Sequence, residues 1–432
     1  MADQQVSRGR EIIPPPPRPP YWVNEFDAVD ERGAVDTPLG HTLWRVLRIT
    51  RLWLASDPDK RSHLLSPYSP VIADRYATAA SEAPGLATPL TVFDQLQRAP
   101  ESVGELQLAE ACHEVFAWAE ERSLIRTAMH FAELAAHADL GSAARCNVAG
   151  RACRAAGEHT RSHDWYERGF KIAKSGERRA LINTAVRSLL GLGRLLQVQG
   201  RPHEAARYFK KAVKRSTRRD RRALAAEANH DLFAVLAELG QYPMALVHAR
   251  GAVDFYGPKH PRFPYAAHDF AFLLIRCLYF RPALELLQML PRYFTRPEEA
   301  ALVWSTQAWA AAASGERERF LVAEERTVRA IGPATEYSAP AMTHLAEAAR
   351  ATGEWERAER YAQAAADAAR EWGDTGTERE SRELLQAIRM RQQGAATLNP
   401  KEAELAELVQ TYKARLRRWK GPTPGARPPP AR

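Results

Sequence analysis

Turn-bounded runs of β-branched and aromatic residues are nearly absent from this 432-residue chain, so no sheet is expected. No apolar run approaches the ~20 residues that a membrane span requires. The opening MADQQVSRGREIIPPPPRPP lacks the apolar core of a secretory signal peptide. Cysteine is scarce. Cys112, Cys146, Cys153 and Cys277 follow no zinc spacing, and such sparse usage suits a reducing cytoplasm. These cysteines are expected as small buried apolar side chains.

Catalytic constellations are missing too. Thirteen histidines are present, but His113-Glu114 and His203-Glu204 are single pairs without the second histidine of a metal helix. His230-Asp231 and His268-Asp269 are sequence neighbours, which point different ways on a helix. Gly191-x-Gly193 lies inside the apolar helical pattern AVRSLLGLGRLLQVQ, whereas a dinucleotide loop follows a strand and opens a helix. The chain is therefore expected to be no enzyme and to need no cofactor and no metal. Gly191 has no explanation at this level.

What is present is alanine, leucine and charge. Hydrophobic residues make up 45% of the chain and charged residues 26%, an ordinary globular balance that favours helices. Net charge is +9, and it is concentrated. Arg207, Lys210, Lys211, Lys214, Arg215, Arg218, Arg219, Arg221 and Arg222 stand against Asp220 alone, which gives 207–222 a net +8. A solvated corner, a site for an acidic protein and a backbone-reading site for nucleic acid all fit this run. No aromatic residue interleaves its loop to stack bases.

A turn signal recurs between helical patterns, in RAAGEHTRSHDWYERG, QVQGRPHEAARYFKKA, AELGQYPMALVHARGA and RATGEWERAERYAQAA. In these four copies a small residue stands five and twelve positions after Gly157, Gly200, Gly240 or Gly353. Gly315 fits less well, and Ser123 and Leu278 replace the glycine in two degenerate copies. The seven anchors are spaced by 34, 43, 40, 38, 37 and 38 residues. A period of this size marks helical hairpins that must stack to cover their apolar faces.

These residues resemble the tetratricopeptide repeat, in its long bacterial form. Leu192, Gly193, Gly200, Ala205, Phe209 and Ala212 occupy the family's seventh, eighth, fifteenth, twentieth, twenty-fourth and twenty-seventh places. Leu232, Tyr242, Ala245 and Ala252 match around Gly240, and Leu345, Trp355, Ala358 and Ala365 match around Gly353. The likeness covers about 103–393. It implies an all-α, right-handed superhelical solenoid of about seven helical hairpins with helical caps. Most steps exceed the 34 residues of the simple repeat, which longer helices and loops absorb.

The organisation expected is a Pro-rich disordered tail (1–38), an N-terminal helical cap (39–100), the solenoid with a capping helix (101–393), and a linker, basic amphipathic helix and tail (394–432). The proline run reads as a polyproline II tail. The helix after Asn399-Pro400 carries Leu405, Leu408, Tyr412 and Trp419 on one side. Docking on the last repeat, binding a partner and floating free all remain open for it.

In the family the first helix of each hairpin lines a concave groove. The resemblance places Asn147, Arg151 and Arg154 there, then Arg187, Arg194 and Gln197, with Asn183 one turn earlier. His230, His268, Phe272 and Trp309 follow. Asn pairs with a peptide backbone and Arg forks onto a carboxylate. The expected partner is an acidic peptide or protein held in this groove by a non-enzymatic scaffold. Nucleic acid bound through 207–222 and the basic C-terminal tail is the alternative, and a ligand-sensing regulatory array is a third reading.

Overall fold

The computed structural model describes residues 13–17, 37–63, 68–176, 179–216, 221–257, 259–331, 335, 337–391 and 402–419. Most of the expected N-terminal tail (1–12 and 18–36), the linker 394–400 and the expected C-terminal tail 421–432 lie outside the described residues. Nineteen α-helices and no strand occur among the described residues. They form two compact units, Met1–Gly191 and Leu192–Arg432.

In the first unit, α1 (Pro38–Ala55), α2 (Pro70–Glu82) and α3 (Ala87–Arg98) precede two hairpins. The hairpins are α4 (Glu105–Glu121) with α5 (Ile125–Ala138), and α6 (Ala143–Ala155) with α7 (His159–Ser175). Helix α8 (Arg179–Val198) starts in this unit. Thr37 caps α1 by accepting the Gly40 amide at 3.0 Å. The Leu43, Val46, Leu47 and Trp53 stripe then faces inward. One core runs from Leu43 to Trp165, so α1–α3 share it with both hairpins. Fully burying each such side chain contributes about 1.5–3 kcal/mol.

The second unit holds the end of α8 with α9 (Pro202–Ser216), then α10 (Arg222–Glu238) with α11 (Tyr242–Phe255) and α12 (Phe263–Arg276) with α13 (Phe280–Leu287). Next come α14 (Pro297–Ala313) with α15 (Arg317–Ala330) and α16 (Ser338–Ala351) with α17 (Trp355–Trp372). Helix α18 (Thr375–Arg389) closes the array over Leu384, Leu385 and Ile388, and α19 (Glu402–Arg418) follows.

All seven anchors adopt positive φ, including Ser123 at 57° and Leu278 at 66°. After each, the next amide bonds the carbonyl five residues back, as in Arg201 to Leu196 and Tyr279 to Leu274, both at 2.8 Å. This bond satisfies carbonyls that the ending helix orphans. Glycine meets it without cost, whereas a leucine in that conformation costs about 1–2 kcal/mol. The degenerate copies thus keep the geometry of the motif without its residue.

Gly193 and Gly191 serve packing. An added Cβ would lie 2.3 Å from Phe209 at Gly193 and 2.2 Å from Tyr166 at Gly191. The Tyr166 ring supplies the reason for Gly191 that the sequence withheld.

Two contacts depart from a simple open array. The N-terminus of α18 returns to the end of α8, where a Cβ on Gly376 would lie 2.9 Å from the Gln197 carbonyl and 3.2 Å from the Gly200 Cα. Arg379 also donates to the Gly200 carbonyl at 3.4 Å. Helix α19 docks on α11 and α13 in the middle of the unit, not on the last repeat. Tyr412 is fully buried, stacks 4.4 Å from Phe270, and donates to the Ala249 carbonyl at 2.9 Å. Lys413 pairs with Glu285 at 2.6 Å and Arg250 with Glu407 at 3.0 Å.

Candidate peptide-binding face

Polar side chains of one first helix reach the first helix of the next hairpin. In the first unit, Asn147 on α6 donates to the Thr184 carbonyl of α8 at 3.0 Å and accepts from Ser188 at 2.7 Å. Arg151 forks onto Glu120 of α4. Both were expected to face a ligand. Both bond between helices instead.

The second unit repeats this on a larger scale. Arg194 on α8 meets Asp231 of α10 through Nε at 2.9 Å and Nη2 at 2.7 Å. Arg262, which caps the start of α12, meets Asp231 and Glu227, each at 3.3 Å. Burial and the neighbouring Arg262 guanidinium pull Arg194 below the usual arginine range. His230 contacts Asp269 at 2.8 Å and the Tyr256 hydroxyl at 3.1 Å. His268 contacts Thr306 at 2.9 Å, and His344 of α16 contacts the same hydroxyl at 3.0 Å. Thr343 reaches Ser381 of α18 at 3.1 Å. Burial, then the nearby His268 and Arg276, push His344 down to about 3, so it stays neutral.

Several expected groove residues are therefore corrected. His230 is 0% exposed, Arg154 5% and His268 6%. His230 and His268 bond neighbouring helices, and Arg154 is buried with them. Arg194 is held by two carboxylates. His268 also contacts its sequence neighbour Asp269 at 3.2 Å, although adjacent side chains diverge on a helix. The space beside them, lined by Tyr265, Phe294, Glu299 and Tyr337, is about 10 Å³, room for one water at most. Trp309 is half-buried and edges onto Phe272 at 5.9 Å.

Asn183 and Arg187 differ. Both are exposed, one turn apart on α8, and neither bonds another described residue. Lys210, Lys211, Lys214 and Arg215 are also exposed, on α9. The one acid of α9, Glu204, is taken by Arg201 at 2.7 Å. Arg221 is buried and donates to the Arg215 carbonyl at 3.0 Å, which removes it from the basic surface. Arg222 is exposed and donates to the Asp254 carbonyl. Arg218 and Arg219 lie outside the described residues. The four cysteines are buried and free, and burial raises the Cys146 and Cys277 thiols to about 11.

Sequence reasoning missed Glu238, at the end of α10. It is exposed at the surface, accepts from Gln197 at 3.3 Å, and feels the charge of Glu380 on α18. Enclosure and that second carboxyl raise it to about 7. The signal was unreadable, because the pairing depends on α18 returning across the unit.

The family model described as "Tetratricopeptide repeat" matches residues 186–219. That segment is a tetratricopeptide repeat. Its bounds coincide with the sequence copy built on Gly193 and Gly200, and the hairpins around the other anchors share its turn geometry. No curated protein matches the chain. Among solved structures, a Rap protein complexed with competence and sporulation factor is similar at 10% identity. The match covers 86% of this chain and 99% of that one, with a TM-score of 0.41. The Rap conjugation gene regulator of the plasmid pLS20 is similar at 15% identity, covering 87% and 98%, with a TM-score of 0.39. Neither likeness bears on what this chain binds. No helix among the described residues is long and apolar enough to cross a membrane.

Proposed function

We propose that this chain is a non-enzymatic scaffold whose first-helix face holds an acidic peptide or protein segment. The reading is carried by Asn183 and Arg187, which stay exposed on one stripe of α8 while other polar residues of the face are engaged internally. Arg187 supplies a fork for a carboxylate, and Asn183 supplies a donor and an acceptor for a main chain. Capture of bound proteins from native extract, with identification by mass spectrometry, tests it. A chain carrying Arg187→Glu and Asn183→Ala should lose the captured partner with its helicity unchanged. Undiminished capture would refute the assignment.

A second reading rests on Arg207, Lys210, Lys211 and Lys214, exposed on one face of α9. Such a stripe suits a polyanion held through its phosphates, with affinity falling steeply as salt rises. Mobility shifts of generic RNA and duplex DNA across a salt series separate the readings. Lys210→Glu with Lys214→Glu should abolish this binding alone, and no shift at low salt would remove the reading.

A further inference from the structure

Residues 13–17, Ile-Pro-Pro-Pro-Pro, lie against the second helices of the first unit, more than a hundred residues away in sequence. Arg168 on α7 donates through Nη1 to the Pro14 carbonyl and through Nη2 to the Leu140 carbonyl at 2.9 Å. The Pro17 carbonyl lies beside the His137 ring at the end of α5. Prolines fix φ and offer carbonyls without amides, which yields a polyproline II helix of three residues per turn. Residues 14 and 17 therefore share one face. Pro17 is buried, Pro14 and Pro16 half-buried, and Ile13 and Pro15 exposed.

The cleft is built for this ligand. Arg168 is only 8% exposed, yet no carboxylate pairs with it among the described residues, and its Nε has no partner. The Cys146 thiol beside it is kept protonated by burial and supplies no counter-charge. A buried guanidinium in this state seeks carbonyl oxygens. Burial, then the Arg161 and Arg168 cations, push His137 down to about 4, so its ring is neutral. The indole of Trp165 backs it edge-on at 5.1 Å. Carbonyl donors over an aromatic floor are the means by which proteins read polyproline II.

We propose that the α5–α7 cleft reads polyproline II segments, that residues 13–17 occupy it as an internal ligand, and that a proline-rich segment of a partner protein displaces them. This site is separate from the acidic-segment site proposed above. Because the ligand belongs to the same chain, it acts at about millimolar effective concentration. A free peptide of ~100 μM intrinsic affinity is then weakened about tenfold in the intact chain.

The probe is a fluorescent IPPPPRPP peptide, titrated by anisotropy into the full chain and into a full-length variant with Pro14, Pro15, Pro16 and Pro17 all changed to Gly. The variant should bind about tenfold more tightly than the natural chain, and an IGGGGRGG peptide should bind neither. Adding Arg168→Met should remove the gain. If that chain fails to fold by circular dichroism, His137→Gln, on a half-buried ring, takes its place. Equal peptide binding by both chains, no binding to the variant, or equal binding of the glycine peptide overturns the proposal.

Discussion

Asp231→Asn is the sharpest test of the stacking logic. Asp231 lies on α10 and holds Arg194 of α8 on one oxygen and Arg262, at the start of α12, on the other, at 2.7 and 3.3 Å. Its side chain is 5% exposed, and those of its partners are 19% and 8% exposed. Asparagine keeps the shape and one acceptor but removes the charge. Two guanidiniums then share Glu227 alone. Removing one partner of a buried ion pair costs about 3–5 kcal/mol. The residual exposure of Arg194 and the surviving Glu227 favour the lower end, about 3 kcal/mol, or roughly a hundredfold in the local folding equilibrium.

Urea unfolding by circular dichroism measures the loss, and hydrogen exchange over 222–238 and 263–276 localises it. Asp367→Asn is the control. Its pair with Arg370 is about half exposed on both sides, so its removal should cost no more than about 1 kcal/mol. Adding Arg194→Met to Asp231→Asn removes the uncompensated cation and should recover part of the stability. If Asp231→Asn behaves like Asp367→Asn, the ion lattice does not fasten the first helices.

Gly191→Ala should destabilise the chain by about 1–3 kcal/mol despite alanine's better helix propensity, because the new Cβ would lie 2.2 Å from the Tyr166 ring; a raised melting temperature would contradict this. Glu238 gives a pH dependence. Its folded carboxyl titrates near 7 against an ordinary 4.5, so folding takes up a proton between those values. Its contribution is complete below about 4.5 and is lost as pH rises through 7. Glu238→Gln should flatten the fall in urea midpoint between pH 5 and 8, and an unchanged slope would count against the carboxyl pair.

The fold was legible because its signal is local. The seven turns follow a spacing that survives in sequence, and even Ser123 and Leu278 hold the left-handed geometry at the positions that the spacing assigns. The candidate face was much less legible. A helical stripe tells which residues share a side, but not whether a neighbouring helix already fills the space in front of it. His230 and Asn183 look alike in sequence, yet one meets Asp269 and Tyr256 while the other meets solvent. Tyr166 against Gly191, Tyr412 against Phe270, and Arg168 against Pro14 involve partners 25 to 154 residues away. No periodicity within one helix encodes such pairs.

The meeting of Gly376 with Gly200 limits how the second unit can change size. An open stack of hairpins lengthens or shortens by whole copies, since each touches only its neighbours. Here the last turn must arrive on the first, 177 residues away at the Thr375–Val198 hydrogen bond. Duplicating or deleting one hairpin would displace α18 by a full step and part the two glycines. The number of copies is thus fixed by where the ends meet.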